Sequence, residues 1–164
     1  MRKSFNLKGF TLVELIVVIA IIGVLAAILV PSMLGYVSKA KFSSANSVAK
    51  TIFNAGMAAC REQEVIKPIT PGIYTGNSSY SSEPSGENDL TYNETINKYI
   101  YEYAEDLKDS DWGVKIKDDV AVAACYHKSA DDIYIGTYPK ANNQRPDSLS
   151  IQNAIAFAES GEWS

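Results

Sequence analysis

Histidine and cysteine are scarce in this chain of 164 residues, which has one histidine and two cysteines. His127 lies two positions after Cys125, and this pair matches no recognised spacing of metal ligands. Residues 65–164 contain no nucleophile, metal-binding or phosphate-binding motif, so the sequence supports neither an enzyme nor a cofactor or metal site. The acidic pairs Asp118-Asp119 and Asp131-Asp132 lack an EF-hand pattern and fall at predicted turns, where aspartate is common. We interpret His127 as a residue at a strand end or in a hairpin.

Basic residues are few once the first nine positions are set aside. The chain has 15 Lys and Arg against 19 Asp and Glu, and Arg2, Lys3 and Lys8 account for three of the 15. Residues 10–164 therefore carry 12 basic and 19 acidic side chains, a net charge of −7 (12 − 19). An acidic surface disfavours nucleic acid as a partner. Basic residues ahead of an apolar run favour an N-terminus in the cytoplasm.

The apolar run from Phe10 to Val30 is the strongest pattern in the sequence. At ~1.5 Å per residue in a helix it reaches about 31 Å, enough to cross a hydrocarbon core of about 30 Å. It contains one charge, Glu14, and a carboxylate inside a membrane helix is expected to have a partner. A signal peptide is cut after its apolar stretch. Here the small residue Gly9 precedes the stretch, so cleavage at Gly9 would retain the membrane helix.

The run Gly9-Phe10-Thr11-Leu12-Val13-Glu14 resembles the prepilin leader of type IV pilins and the related pseudopilins. The resemblance implies that a prepilin peptidase cuts after Gly9 and methylates the new amine of Phe10. It also implies that Glu14 neutralises the N-terminal amine of a neighbouring subunit in a filament core. From the residue alone, Glu14 could instead be a stray charge that snorkels to the membrane interface. Pro31 falls at the twenty-second position after the cut, where many pilins carry a proline.

The same resemblance implies a structural role in a type IV pilus. Before assembly the subunit would be a single-pass protein of the bacterial cytoplasmic membrane, in contact with lipid. An assembly platform and its ATPase would then draw it into a helical homo-oligomer at the cell surface, used for motility, adhesion, aggregation or biofilm formation. The alternative is a pseudopilin of a type II secretion or competence DNA-uptake system. A membrane-anchored extracellular enzyme or binding module is the remote alternative.

Helical periodicity continues after Pro31 to about residue 62, with Lys39, Lys41 and Lys50 between the apolar positions. Pro31 removes one hydrogen bond from the helix and Gly23 weakens the preceding turns. We therefore predict a single long helix that bends near these two residues. Its first half is apolar on all sides, whereas its second half is amphipathic and needs a domain to pack on.

The remaining sequence predicts a small α+β head. Residues 65–90 are rich in proline, glycine and serine and predict a long loop. Thr91-x-x-Glu94 is a capping-box pattern that predicts a second helix at about residues 92–107. The alternation of Tyr99, Tyr101 and Tyr103 would also suit a strand. Strand-like runs at 112–117, 120–127 and 132–138 are joined by short polar connections, which favours antiparallel hairpins. Residues 148–159 fit a helix or a fourth strand, and we favour the helix.

These patterns together predict an α+β protein with the type IV pilin fold, in which a long bent N-terminal helix packs on a three- to four-stranded antiparallel sheet. The predicted segments are a leader (1–9), a transmembrane or filament-core half of the helix (10–31), an amphipathic half of the helix (32–64) and a head (65–164). Within the head we predict a loop (65–90), a second helix (91–108), a sheet (112–138) and a C-terminal region (139–164). Cys60 and Cys125 could form a disulfide or remain two buried thiols. Many pilins carry their disulfide close to the C-terminus, and this chain departs from that pattern.

Overall fold

The structure, a computed structural model, describes residues 10–63, 71–76, 92–104, 107, 110–129, 132–146 and 150–163. It divides into two compact units, Met1–Ser38 and Lys39–Ser164. We refer to the second unit as the head. Within the described ranges the elements in chain order are α1 (Leu12–Gln63), β1 (Gly72–Gly76), α2 (Tyr92–Tyr103), β2 (Asp111–Lys117), β3 (Val120–His127), β4 (Gly136–Tyr138) and α3 (Ile151–Ser160).

The first unit contributes the N-terminal part of α1, and every described residue from Phe10 to Val37 is exposed. The helix continues through Pro31, as predicted. Proline removes one N–H from the helical ladder and its ring crowds the carbonyl four residues earlier, but neither effect ends α1 here. One turn of the helix gains a side-chain bond here, because the Ser32 hydroxyl donates to the Leu29 carbonyl at 2.9 Å. The bend near Gly23 and Pro31 stays a prediction.

The head contains a four-stranded antiparallel sheet in the order β1-β2-β3-β4. Strands β2 and β3 are joined by Asp118 and Asp119, whose φ angles are 53° and 58°. Two successive positive φ values are what a type I′ hairpin turn requires, and aspartate tolerates this conformation better than most residues. The predicted hairpin between these strands is therefore confirmed.

A β-bulge in β3 determines which side chains face each side of the sheet. Lys115 pairs with Ala123 and Ile116 pairs with Ala121, so Val122 is the extra residue. Ala121 and Ala124, three positions apart, consequently face the same core. Ala123 and Cys125 face the opposite one. The bulge is therefore compatible with a separate apolar core on each face of the sheet.

One face of the sheet is covered by the part of α1 in the head together with α2, and the other face by α3. The larger core is built around the fully buried Trp112. It also contains residues of α1 (Ile52, Ala55, Ala59, Cys60), of α2 (Ile96, Ile100), of three strands (Tyr74, Val114, Ile116, Ala121, Ala124) and Leu107. The smaller core consists of Ala123, Cys125, Ile135, Ala154, Ile155 and Ala158. The expected α+β architecture, with α1 packed on an antiparallel sheet, is confirmed.

Three details of the predicted head are wrong. The predicted loop 65–90 contains β1, an edge strand that begins with Gly72 and ends with Gly76, and glycine is a residue typical of loops. The predicted strand 132–138 is reduced to Gly136–Tyr138, because the Asp132 carboxylate accepts a hydrogen bond from the Tyr134 N–H and forms a local turn. Helix α2 ends at Tyr103 rather than near residue 107.

The C-terminal helix that we favoured over a fourth strand is present as α3. Its N-cap is Ser150, whose hydroxyl accepts a hydrogen bond from the Asn153 N–H at 3.1 Å. It ends at Gly161, which has a φ of 84°, a left-handed conformation that glycine adopts without strain. Thr91, the first residue of the predicted capping box of α2, lies outside the described residues.

Candidate assembly surface

Thr11 and Glu14 form a capping box at the start of α1. The Thr11 N–H and its hydroxyl both donate to Glu14 Oε2, at 2.9 and 2.7 Å, and the Glu14 N–H donates to Thr11 Oγ1 at 3.3 Å. This reciprocal pattern satisfies N–H groups that a helix start leaves without partners. Among the described residues, Glu14 Oε1 accepts no hydrogen bond. The carboxylate is therefore held at the start of α1 by Thr11 and has one oxygen left for another donor.

Sequence reasoning assigned a role to Glu14 but missed the role of Thr11. The signal was available, because Thr11-x-x-Glu14 is the same capping-box pattern that predicted the start of α2. Thr11 holds the carboxylate in place, and the capping box makes Glu14 a part of the helix end.

The exposed part of α1 is the largest apolar surface of the described chain. Phe10 is 84% exposed, and the large aliphatic side chains from Leu12 to Val37 are exposed on all sides of the helix. By length and composition this helix can cross a membrane. A continuous apolar surface of this size is not stable in water and needs lipid or protein to cover it. A Cβ added at Gly23 would meet no atom of a neighbouring segment within 4 Å, so this position of the helix surface is also uncovered.

The residues singled out in the sequence lie in two places. Phe10, Glu14, Gly23 and Pro31 belong to the first unit, and Gly9 lies outside the described residues. Cys60 and Cys125 belong to the head.

Cys60 and Cys125 are free and buried, so the structure does not contain the disulfide considered above. Cys60 is part of the core beneath α1, whereas Cys125 is part of the core beneath α3. The sheet separates them because successive residues of a strand point to opposite faces, and Cys125 points away from α1. The alternative reading, two buried thiols, is the one the structure supports.

Burial makes both thiols poor nucleophiles. It raises the pKa of Cys60 to about 11, with a smaller contribution from the Asp119 carboxylate. It raises the pKa of Cys125 to about 12, and the Cys125 thiol donates to the Ile151 carbonyl at 3.9 Å. Since the thiolate is the reactive form, little of either residue is reactive near neutral pH.

We expect both thiols to resist alkylation in the folded protein. Iodoacetamide at pH 8 should modify neither cysteine on the time scale that modifies a free thiol such as glutathione, and should modify both after denaturation. Peptide mass spectrometry of the two samples provides the measurement. Rapid labelling of the native protein would contradict the described burial, and failure to label the denatured, unreduced protein would indicate a disulfide.

His127 is buried at the end of β3, as its interpretation as a strand-end residue anticipated. Its Nδ1 lies 2.8 Å from the Ser129 carbonyl, so Nδ1 carries the donated hydrogen. Its Nε2 lies 3.7 Å from Asp111 Oδ2. These contacts connect the start of β2 to the turn that follows β3. In the described part of the chain, no three His, Cys, Asp or Glu residues are grouped as a metal site would require.

Asn46 joins α1 to the segment that follows β4. Its Oδ1 accepts hydrogen bonds from the N–H groups of Thr137 and Asn142, at 2.9 and 3.2 Å. Its Nδ2 donates to the Asn142 carbonyl at 2.7 Å. Close by, Gly136 lies against the Ala45 carbonyl so tightly that no Cβ would fit. We refer to this set of contacts as the Asn46 clamp.

Comparison with known proteins connects the first unit to a family. Residues 5–30 match the family model of the prokaryotic N-terminal methylation motif. A fimbrial protein of Pseudomonas aeruginosa is 40% identical to this chain over 65 residues, which cover 39% of this chain and 42% of that protein. The N-terminal region of the chain is thus similar to that of fimbrial proteins and type IV pilins. The predicted resemblance is thereby confirmed for this part of the sequence.

Other relatives extend the pilin similarity in two directions. The type IV major alpha-pilin of Moraxella bovis is 39% identical over 94 residues, 56% of this chain and 52% of that protein. The type II secretion system core protein G of Escherichia coli (strain K12) is 46% identical over 55 residues, 34% of this chain and 38% of that protein. The chain spans about half or less of the length of these relatives. No solved structure matches it. The methylation motif and the apolar helix fit anchoring in a membrane and a place in a surface pilus.

Proposed function

We propose that this chain is a structural subunit of a type IV pilus, assembling from the membrane into a helical homo-oligomeric filament at the cell surface. The observation that carries the proposal is the exposed apolar helix with Glu14 fixed at its start by Thr11. A membrane covers such a helix before assembly. Packing against the same helix of other copies covers it afterwards, so the surface is never left to water.

Assembly in this proposal depends on a charge pair between neighbouring copies. Cleavage after Gly9 gives Phe10 a positively charged amine at the end of the apolar helix. Moving such an amine into an apolar filament core is costly unless a negative charge meets it. The free oxygen of Glu14 in an adjacent copy is the group placed to accept it. Glu14 would thereby set the axial position of each new subunit.

The partners follow from this course of events. A prepilin peptidase cuts and methylates the chain, lipid surrounds the helix before assembly, and an assembly platform with its ATPase moves the subunit into the filament. The basic residues of the leader favour an N-terminus in the cytoplasm, which places the head outside. The similarity to fimbrial proteins and pilins supports a structural protein rather than an enzyme. We also propose that α1 bends near Gly23 and Pro31.

A pseudopilin is the second candidate, favoured by the similarity to the type II secretion protein of Escherichia coli. Both candidates predict the same processing and the same role for Glu14. They differ in what is found on the cell, because a pilus extends from the surface whereas a pseudopilus does not. Electron microscopy of cells labelled with antibody to the head is the deciding experiment. Labelled filaments support the pilus, and their absence from cells that export the subunit supports the pseudopilin.

Processing gives an independent test of the family assignment. Mass spectrometry of the exported protein should find a chain that begins at Phe10 with a methylated amine. Gly9→Val should leave the precursor uncut, because a β-branched side chain does not fit where the peptidase needs a small one, whereas Gly9→Ala should still be cut. A chain that begins beyond Val30 would mean an ordinary secretory signal and would refute the pilin assignment.

A further inference from the structure

Charged residues are few on α1 and unevenly spaced. Between Glu14 and Arg61 the sequence contains three of them, Lys39, Lys41 and Lys50, and all three are basic and exposed. The 24 residues between Glu14 and Lys39 (residues 15–38) carry no charge. Glu14 and Lys39 therefore mark the two ends of the uncharged part of the helix.

The length of this uncharged part matches a bilayer. Lys39 is 25 residues beyond Glu14 (39 − 14), and a helix of that length rises about 38 Å. This rise exceeds the hydrocarbon core of about 30 Å and is less than the thickness of about 40–45 Å that includes the headgroup layers. With Glu14 in one headgroup layer, Lys39 therefore reaches the other, and Lys41 follows about 3 Å later.

The charges of Lys39 and Lys41 are not neutralised within the part of the chain that the structure describes. The ion pairs found there join other residues. Lys39 lines a groove of about 400 Å³ between α1 and residues 137–143, and none of the residues that line this groove is acidic. The two ammonium groups are therefore available to an anion from outside the chain.

Aromatic rings surround the Lys41 ammonium. It lies 4.8 Å from the centre of the Tyr134 ring, and this ring meets Phe42 edge-on with 5.0 Å between the ring centres. Asp132, two residues before Tyr134, uses its carboxylate to accept the Tyr134 N–H. A cation–π contact leaves the positive charge open to an anion. Tyrosine next to lysine is also the composition of a membrane interface, where rings and ammonium groups lie at the level of the headgroups.

The position of these lysines favours a phospholipid as the anion. The exposed apolar surface of α1 continues to Val37, two residues before Lys39, so lipid that covers this surface borders directly on the lysines. Basic residues next to a membrane gain affinity from each anionic headgroup that they meet. A soluble anion would use Lys50 as well, because Lys50 lines the same groove.

We propose that Lys39 and Lys41 bind the phosphate groups of anionic phospholipids while the subunit is in the membrane. The inference rests on the proposed pilus function, because it needs the membrane-anchored stage, and it gives the two lysines a role that ends when the helix leaves the bilayer. Lys50 is outside this site. It is nine residues, about 14 Å, beyond Lys41, whereas the potential of an anionic membrane falls off within about 8 Å at physiological salt.

Lysine labelling in defined bilayers tests this site on the unaltered chain. The full-length protein is placed in nanodiscs of phosphatidylcholine alone, or of phosphatidylcholine and phosphatidylglycerol in equal parts, and treated with a limiting amount of acetic anhydride. Peptide mass spectrometry gives the acetylation rate of each lysine. Lys39 and Lys41 should react roughly fivefold more slowly in the discs with phosphatidylglycerol. Lys50 and Lys128, both exposed, should change by less than about 1.5-fold.

Substitution of the two lysines provides a second test. Native mass spectrometry of the full-length chain in detergent, given equal amounts of the two lipids, should find phosphatidylglycerol bound in excess. Lys39→Gln combined with Lys41→Gln should remove this excess. Lys39→Arg combined with Lys41→Arg should retain it, because arginine keeps the charge. Lys50→Gln is the matched control from the same groove and should leave the excess unchanged.

Several results would overturn the inference. Equal labelling of Lys39 and Lys41 in the two kinds of disc would show that anionic lipid does not reach them, and an excess retained by the glutamine variant would assign the lipid to other residues. Slower labelling of all three lysines when glycerol 3-phosphate is added to phosphatidylcholine discs would indicate a site for a soluble anion. Failure of the chain to enter either disc would refute the membrane-anchored stage of the proposed function, and the inference with it.

Discussion

Glu14→Ala is expected to remove surface filaments while leaving the subunit in the membrane. The substitution makes the helix more apolar, so insertion is not impaired. Filament yield should fall by about a factor of ten or more, because the Phe10 amine of each added copy would enter an apolar core without its counter-charge. Filaments sheared from cells, quantified against membrane-bound subunit, provide the measurement. Glu14→Asp should be intermediate, since it keeps the charge but shortens its reach.

Two matched variants separate the charge of Glu14 from its part in the capping box. Glu14→Gln keeps an amide oxygen that can accept the Thr11 hydrogen bonds but removes the charge. Thr11→Ala keeps the charge and removes the hydroxyl. Charge pairing predicts that Glu14→Gln is as defective as Glu14→Ala and that Thr11→Ala retains filaments. The reverse order would show that helix capping, and not the charge, is what assembly requires. Normal filaments from Glu14→Ala would show that Glu14 merely snorkels to the interface.

Asn46→Ala is expected to cause a large loss of head stability. It removes the acceptor of two backbone N–H groups, those of Thr137 and Asn142, and the donor to the Asn142 carbonyl. Asn142 is fully buried, so water does not replace these bonds readily. Leaving buried groups without partners should lower the free energy of unfolding by about 2–4 kcal/mol. Thermal unfolding of the purified full-length protein in detergent, followed by near-ultraviolet circular dichroism, measures the change.

The control for this experiment is Asn143→Ala. Asn143 is the next residue after the buried Asn142, has the same chemistry as Asn46 and is exposed. Its substitution should change the free energy of unfolding by no more than about 0.5 kcal/mol, as expected for a surface position. Equal effects of the two variants would mean that the Asn46 clamp contributes little. An effect of Asn46→Ala on filaments without loss of stability would instead place Asn46 in a contact between copies.

The sequence was most informative where local patterns decide the structure. The apolar run, its single carboxylate and the periodicity beyond Pro31 predicted α1, and alternation predicted β2 and β3. The resemblance at Gly9 to Glu14 predicted the family that the comparisons support. These patterns can be recognised from neighbouring residues, because the hydrophobic periodicity and the leader motif each extend over a short stretch of the chain.

Features that depend on distant contacts escaped prediction. β1 exists because Gly72–Gly76 find β2 as a partner nearly forty positions later, and no local signal specifies that pairing. The Asn46 clamp joins residues more than 90 positions apart, and a single asparagine in a helix gives no hint of it. The separation of Cys60 from Cys125 depends on the face to which each points, which the bulge at Val122 helps to determine. Thr11 is different, since Thr11-x-x-Glu14 is a local pattern that the sequence itself contains.

The bulge at Val122 has a consequence for how this strand can change in length over evolution. Loss of Val122 would leave Ala121 and Ala123 as direct neighbours with unchanged orientations, so both cores would keep their side chains. Loss of Ala123 would be equivalent, because Val122 would take its position opposite Lys115, whereas loss of one residue from Ala124 to Tyr126 would move at least one core side chain to the opposite face. Single-residue gaps in the β3 strands of related heads should therefore cluster at residues 121–123, and gaps that fall equally often at residues 124–126 would contradict this expectation.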